Sequence, residues 1–129
     1  MRMIFVNLPV KDLEASMGFF TQLGFEFNPD FTDGDAACMI VDENIFVMLL
    51  KEERFRDFIN DEIADATRTT EAITALSADS KEHVDATIAK AIEAGGKPWK
   101  PTIDEGAMYG GSFQDLDGHV WELMHMGRP

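Results

Sequence analysis

The chain has 129 residues, enough for one compact domain that buries roughly two-thirds of its unfolded surface. Its 24 acidic and 11 basic residues give a formal net charge of −13, which argues against nucleic acid or an anionic membrane as a partner, because both need a positive face. The single cysteine, Cys38, rules out an internal disulfide, and no segment approaches the length of a transmembrane helix.

The N-terminus is apolar for only a few residues and lacks the pattern of a secretory signal, so the cytoplasm is the expected location. Met3 to Pro9 reads as a strand. Asp12 is a good N-cap for a helix with Leu13, Met17, Phe20 and Leu23 on one face, closed by Gly24. Phe25 to Phe27 is a short strand, Asp33-Gly34-Asp35 a turn, and Ala36 to Val41 a strand in which Cys38 serves better as a small hydrophobe than as a nucleophile. Ile45 to Leu50 has no alternation and reads as buried on both faces. Lys51 to about Thr70 is charged, with Phe55, Phe58, Ile59 and Ile63 spaced for one helix or two short ones. It is a surface connector, and its phenylalanines could form a lid, a dimer contact or a plain anchor.

Ile73 to Ala78 is the next strand. Ser80 can cap a helix whose inner face carries Val84, Ile88, Ala91 and Ile92, ended by Gly95-Gly96. Lys97 to Trp99 is a short extended piece. A strand runs from Ala107 to Phe113, and a hairpin turn at Asp117-Gly118 leads into His119 to His125. The order is strand, helix, three strands, given twice. It divides one α+β domain, residues 1–129, into module one (1–50), a connector (51–71) and module two (72–129).

In the last strand Trp121 and Leu123 point one way, and Val120, Glu122 and Met124 the other. Both faces are mostly apolar, so a strand covered on both sides is expected. A carboxylate there must meet a metal, a cation or hydrogen-bond donors, or take up a proton.

Two pieces carry a family likeness: Leu8-Pro9-Val10-Lys11-Asp12-Leu13-Glu14-Ala15-Ser16 with Phe19-Phe20 and Leu23-Gly24-Phe25, and Asp115-Leu116-Asp117-Gly118-His119-Val120-Trp121-Glu122-Leu123. On a doubled βαβββ pattern they resemble the glyoxalase, bleomycin-resistance and extradiol-dioxygenase group, the vicinal oxygen chelate superfamily. The resemblance covers nearly the whole chain. It implies two modules forming a curved, cupped mixed sheet with helices outside, and a divalent metal held by the first and last strands of each module.

By that resemblance the family's glutamate ligand falls on Glu122, while the other ligand positions fall on Phe5, Met48 and Ile73. One carboxylate and three apolar side chains do not make a divalent site. No cofactor is therefore expected; zinc, nickel, manganese or iron would require a displaced site. Asn7 shares a face with Phe5 but is a weak ligand.

The leading expectation is a small-molecule-binding protein with Glu122 as its chemical group and Phe5, Asn7, Met48, Ile73, Tyr109 and Met124 lining an apolar cleft. Met39, Met48, Met108 and Met124 lie on strands, where they could shape an adaptable pocket or simply fill the core. Tyr109 could present its hydroxyl to a ligand or be structural, and Gly110-Gly111 marks a bulge or a close approach. His119 reads as a brace for the hairpin. Three alternatives stay open. The first is a metal-dependent lyase of the lactoylglutathione lyase type, or a dioxygenase, with Glu122 joined by His119 or His125 of a second copy. The second is a metal-independent isomerase or epimerase with Glu122 as base, and the third an interaction module without a pocket. A homodimer is implied by the resemblance and by the need to cover sheet edges.

Overall fold

The computed structural model describes residues 1–126. It divides into two compact units, Met1–Ala64 and Asp65–Pro129. The α+β class and the doubled plan are borne out, and each unit closes a hydrogen-bonded sheet of its own.

In the first unit β1 (Ile4–Val10), α1 (Leu13–Gln22), β2 (Glu26–Asn28), β3 (Ala36–Asp42) and β4 (Ile45–Lys51) give a sheet of order β1-β4-β3-β2. β1 runs parallel to β4 and the other pairs are antiparallel. α1 starts where the sequence places it, with the Asp12 carboxylate accepting from the Ala15 amide at 3.0 Å. Gly24 closes it at a φ of 101°, a backbone conformation open to glycine at little cost. α1 buries Leu13, Ser16, Phe19 and Phe20, the two rings edge-to-face at 5.0 Å. Beneath them lie Ala37, Met39, Val47 and Leu49, all essentially without exposure. Met39 is thus core filling, and Cys38 is buried as well.

The connector holds one short helix, α2 (Glu52–Arg56), which packs on β1 and β4. Expected helicity beyond it is not realised. Phe55 is half-buried, whereas Phe58 is exposed, with the Arg54 guanidinium 4.5 Å over its ring.

In the second unit β5 (Ile73–Ser77), α3 (Lys81–Glu93), β6 (Lys97–Pro98), β7 (Ile103–Glu105), β8 (Met108–Gln114) and β9 (Val120–Met126) give the order β5-β9-β8-β6, with β7 also on the outer edge of β8. β5 runs parallel to β9, repeating the relation of β1 to β4. Ser80 caps α3 by accepting from the His83 amide at 3.0 Å. The buried residues of α3 are Val84, Thr87 and Ala91; Ile92, expected inside, is 38% exposed. Thr87 takes the inner place because its hydroxyl is spent on the His83 carbonyl at 2.9 Å, leaving its methyl to pack.

The register of β8 with β9 is continuous, so Gly110-Gly111 is not a bulge. The pair serves close approach instead. At Gly110 the thioether of Met124 occupies the space a Cβ would need, and at Gly111 a Cβ would lie 2.8 Å from Ile88 Cγ1 of α3.

Candidate functional site

Residues paired across a ladder point to the same side of a sheet, so register assigns the faces. In the first unit one face lies under α1. The other carries Phe5 and Asn7 from β1, opposite Phe46 and Met48 from β4. Phe5 stacks on Phe46 at 5.0 Å with the rings 14° apart, and still leaves Phe5 49% exposed. Asn7 turns its amide back onto the Phe5 carbonyl at 3.2 Å. This face is apolar, with an aromatic platform at one end.

In the second unit the face away from α3 carries Ile73 and Ala75 of β5, Val120, Glu122 and Met124 of β9, and Ser112 of β8. Glu122 has Ala75 on one side and Ser112 on the other, both small. It is half-buried, where the sequence suggested cover on both faces. Among the described residues its carboxylate has no hydrogen-bond or ion-pair partner. Ile73 is 55% exposed.

Tyr109 stands elsewhere. It pairs with His125 on the α3 side of the sheet, its hydroxyl donates to Asp85 Oδ1 at 2.7 Å, and Lys81 Nζ lies 5.4 Å from its ring. That hydrogen bond and the acidic neighbours Asp85, Asp104 and Glu82 hold the phenol above its ordinary value. As a companion of Glu122 it is corrected: strand alternation puts the two on opposite faces. His125 also faces away, with Nδ1 3.0 Å from the Ala78 carbonyl oxygen.

Asp115 does what the sequence reading left unassigned. Its buried carboxylate accepts from the Asp117 amide at 2.9 Å, the His119 amide at 3.0 Å and Trp121 Nε1 at 2.9 Å. Burial pushes its carboxyl up, against the opposing pull of His119 and these donors. The β8–β9 turn is therefore built around one side chain. Gly118 completes it at a φ of 88°, and a Cβ there would lie 2.7 Å from the Ala66 carbonyl oxygen. The motif that carries the family likeness is largely this framework, which aims Trp121 into the core and Glu122 out of it.

A second missed residue is Ser112. It accepts from the Lys100 amide at 3.0 Å and donates to the Lys100 carbonyl at 3.5 Å. Since Ser112 points to the Glu122 side, the chain leaving β6 rises onto that side, and residues 99–102 arch along the edge before rejoining the sheet as β7. The signal was present in sequence: alternation back from the hairpin puts Ser112 in line with Glu122.

A divalent metal does not fit these residues. Phe5 and Ile73 supply no donor, Met48 offers only a soft thioether poorly suited to a hard divalent ion, and no group of three or more His, Cys, Asp or Glu that could hold a metal occurs among the described residues.

The doubled βαβββ plan is that of the glyoxalase/bleomycin resistance/dioxygenase proteins, and solved structures bear this out. A hypothetical protein from S. aureus, SA1046, matches with a TM-score of 0.83 and 27% identity, over 97% of this chain and 94% of that one. A glyoxalase/bleomycin resistance protein/dioxygenase family enzyme from Burkholderia phytofirmans matches at 0.80 and 17% identity, over 98% and 100%. The fosfomycin resistance protein FosX from Listeria monocytogenes matches at 0.71 and 17%, over 98% and 94%. Residues 2–42 match the Bleomycin resistance protein-like N-terminal family. No curated protein matches the chain. The fold is thus that of the vicinal oxygen chelate superfamily, as the sequence motifs implied. No helix among the described residues is long and apolar enough to cross a membrane.

Proposed function

We propose that this protein binds a small organic molecule against an open apolar sheet face, in the second unit with Glu122 as the polar anchor, and without the divalent metal usual in its superfamily. The observation that carries this is the set of ligand positions. Phe5, Met48 and Ile73 are apolar, while Phe5 and Ile73 stay well exposed on faces free of the flanking helices. Large apolar surface held open on rigid strands is the usual lining of a small-molecule site. Asn7 and Met124 belong to the same faces; Tyr109 does not.

The test is metal analysis of untagged protein, followed by titration with zinc, nickel, manganese and iron(II). Substoichiometric metal and no saturable binding are expected. Stoichiometric metal that Glu122→Ala releases would overturn the reading in favour of a metal-dependent lyase or dioxygenase.

A second reading, a metal-independent isomerase or epimerase, is favoured by one observation. Among the described residues Glu122 has no hydrogen-bond or ion-pair partner, which leaves its carboxylate available as a base. It predicts turnover of a carbonyl substrate that Glu122→Gln abolishes. We further propose a homodimer, since β1 and β5 each stand at the end of the strand order of their own sheet. Light scattering on the eluting peak would show a single-chain mass if this is wrong.

A further inference from the structure

We propose that the ligand taken by the second unit is an organic cation: a protonated amine or amidine on an apolar body, its charge set against Glu122. This rests on the binding reading above and names the class of ligand.

The donors around Glu122 decide it. Ala75, Val120, Met124 and Ile73 have no polar side-chain atom to offer. Ser112, directly across the ladder, has its hydroxyl engaged with the Lys100 main chain on both counts, as acceptor at 3.0 Å and as donor at 3.5 Å. Gln114, next along β8 on the same face, gives its amide nitrogen to the Gly118 carbonyl at 3.2 Å. Among the described residues the neighbouring side chains thus leave the carboxylate uncompensated, although it is half-buried. A half-desolvated carboxylate gains most from a partner that brings both positive charge and N–H donors.

A metal ion alone does not meet this need, because a single carboxylate leaves most of its coordination positions to water. An ammonium or amidinium is satisfied by one carboxylate, and its carbon body can lie on the exposed Ile73 and the half-buried Met124. The field of the whole chain points the same way, since a net charge of −13 concentrates cations near the surface and repels anions. The exposed Ala75 leaves room on one side of the carboxylate for such a head group, while on the other side the buried Ser112 is covered by the Lys100 main chain.

The experiment uses one apolar body with three head groups: phenethylamine, phenethyl alcohol and phenylacetate. Each is titrated into the full chain and into Glu122→Gln, following the methyl resonances of Ile73 and Met124. The inference expects the amine to bind at least about tenfold more tightly than the alcohol, the worth of one charge-assisted hydrogen bond, and the acid more weakly than either. In Glu122→Gln the amine and alcohol should become equal. Glu122→Ala provides a second variant, and unchanged urea midpoints confirm that both fold. If the amine and the alcohol move the two methyl groups equally in the unaltered chain, the cation inference is overturned and the binding reading stands. If no probe moves either methyl, both are overturned.

Discussion

The two units use one topology and differ in what they place on it. Each lays a first strand parallel to its last, covers one face with a helix and leaves the other open. On the open face of the first unit stand a stacked pair of phenylalanines, an amide bonded to its own backbone and a methionine. On that of the second a carboxylate stands between an alanine and a serine. The fold does not dictate all of this chemistry: much of the core is made on the helix side, where Val47, Leu49, Trp121 and Phe113 are buried, and on the other faces Cys38 and Val120 are buried but Phe5 and Ile73 are exposed. The exposed positions on these faces are free to vary at small cost in stability, and that freedom lets one scaffold carry several kinds of site.

The contrast extends to the turns. Asp33 organises the turn before β3 by accepting from the Asp35 amide at 2.8 Å and the Ala36 amide at 3.0 Å, in the open. Asp115 does the same before β9 with a third donor from Trp121, inside the protein.

Substitution at the buried turn should have the largest effect. Asp115→Ala strands three donors, one of them an indole, and should cost about 3 kcal/mol in urea unfolding, while Asp33→Ala should shift the midpoint far less. Equal shifts would mean that burial is not what separates the two. Gly111→Ala should cost about 2 kcal/mol, since Ile88 and Val84 must give way before a Cβ fits. Phe5→Ala on the first open face should cost about 1 kcal/mol, the worth of a stacked, half-exposed ring. Glu122→Gln on the second should change stability by no more than about 0.5 kcal/mol, because the carboxylate holds nothing in place. A loss near that of Asp115→Ala would show Glu122 to be structural.

The last comparison is of sign. Hydrogen bonds from the Asp35 and Ala36 amides hold the Asp33 carboxyl below its ordinary 3.8, so its contribution is present above that value and fades as pH falls through the folded one. Burial holds Asp115 above 3.8, so its contribution is full below that value and fades as pH rises through the folded one. Urea unfolding across acid pH should therefore show Asp33→Asn removing a loss on acidification, and Asp115→Asn a loss on the way up. Slopes of the same sign in both variants would contradict these assignments.

Much of the fold was legible because its punctuation is chemical. Asp12 and Ser80 cap helices, Gly24 and Gly95 end them at positive φ, and Asp117-Gly118 turns the last hairpin. β7 was missed because three residues are too few for any periodicity to register. The helical spacing read between Phe55 and Ile63 reflects apolar anchoring along a mostly irregular segment. At the site, Glu122 and its face were legible from alternation. Tyr109 was misplaced because it was judged by its hydroxyl and not by its parity along β8. Asp115 was overlooked because a turn residue was read as a marker when it is also the acceptor that orients Trp121.

Gly110 and Gly111 have a further consequence. Adjacent Cα atoms are about 3.8 Å apart, and here neither bears a side chain. Met124 rests on the first from the open side and Ile88 on the second from the helix side, so only the peptide plane divides them. The sheet has a window at this point. An isotopic label on the Ile88 methyl, placed on the outer helix and touching no ligand, would register an occupant that displaces Met124, and would read the site from behind.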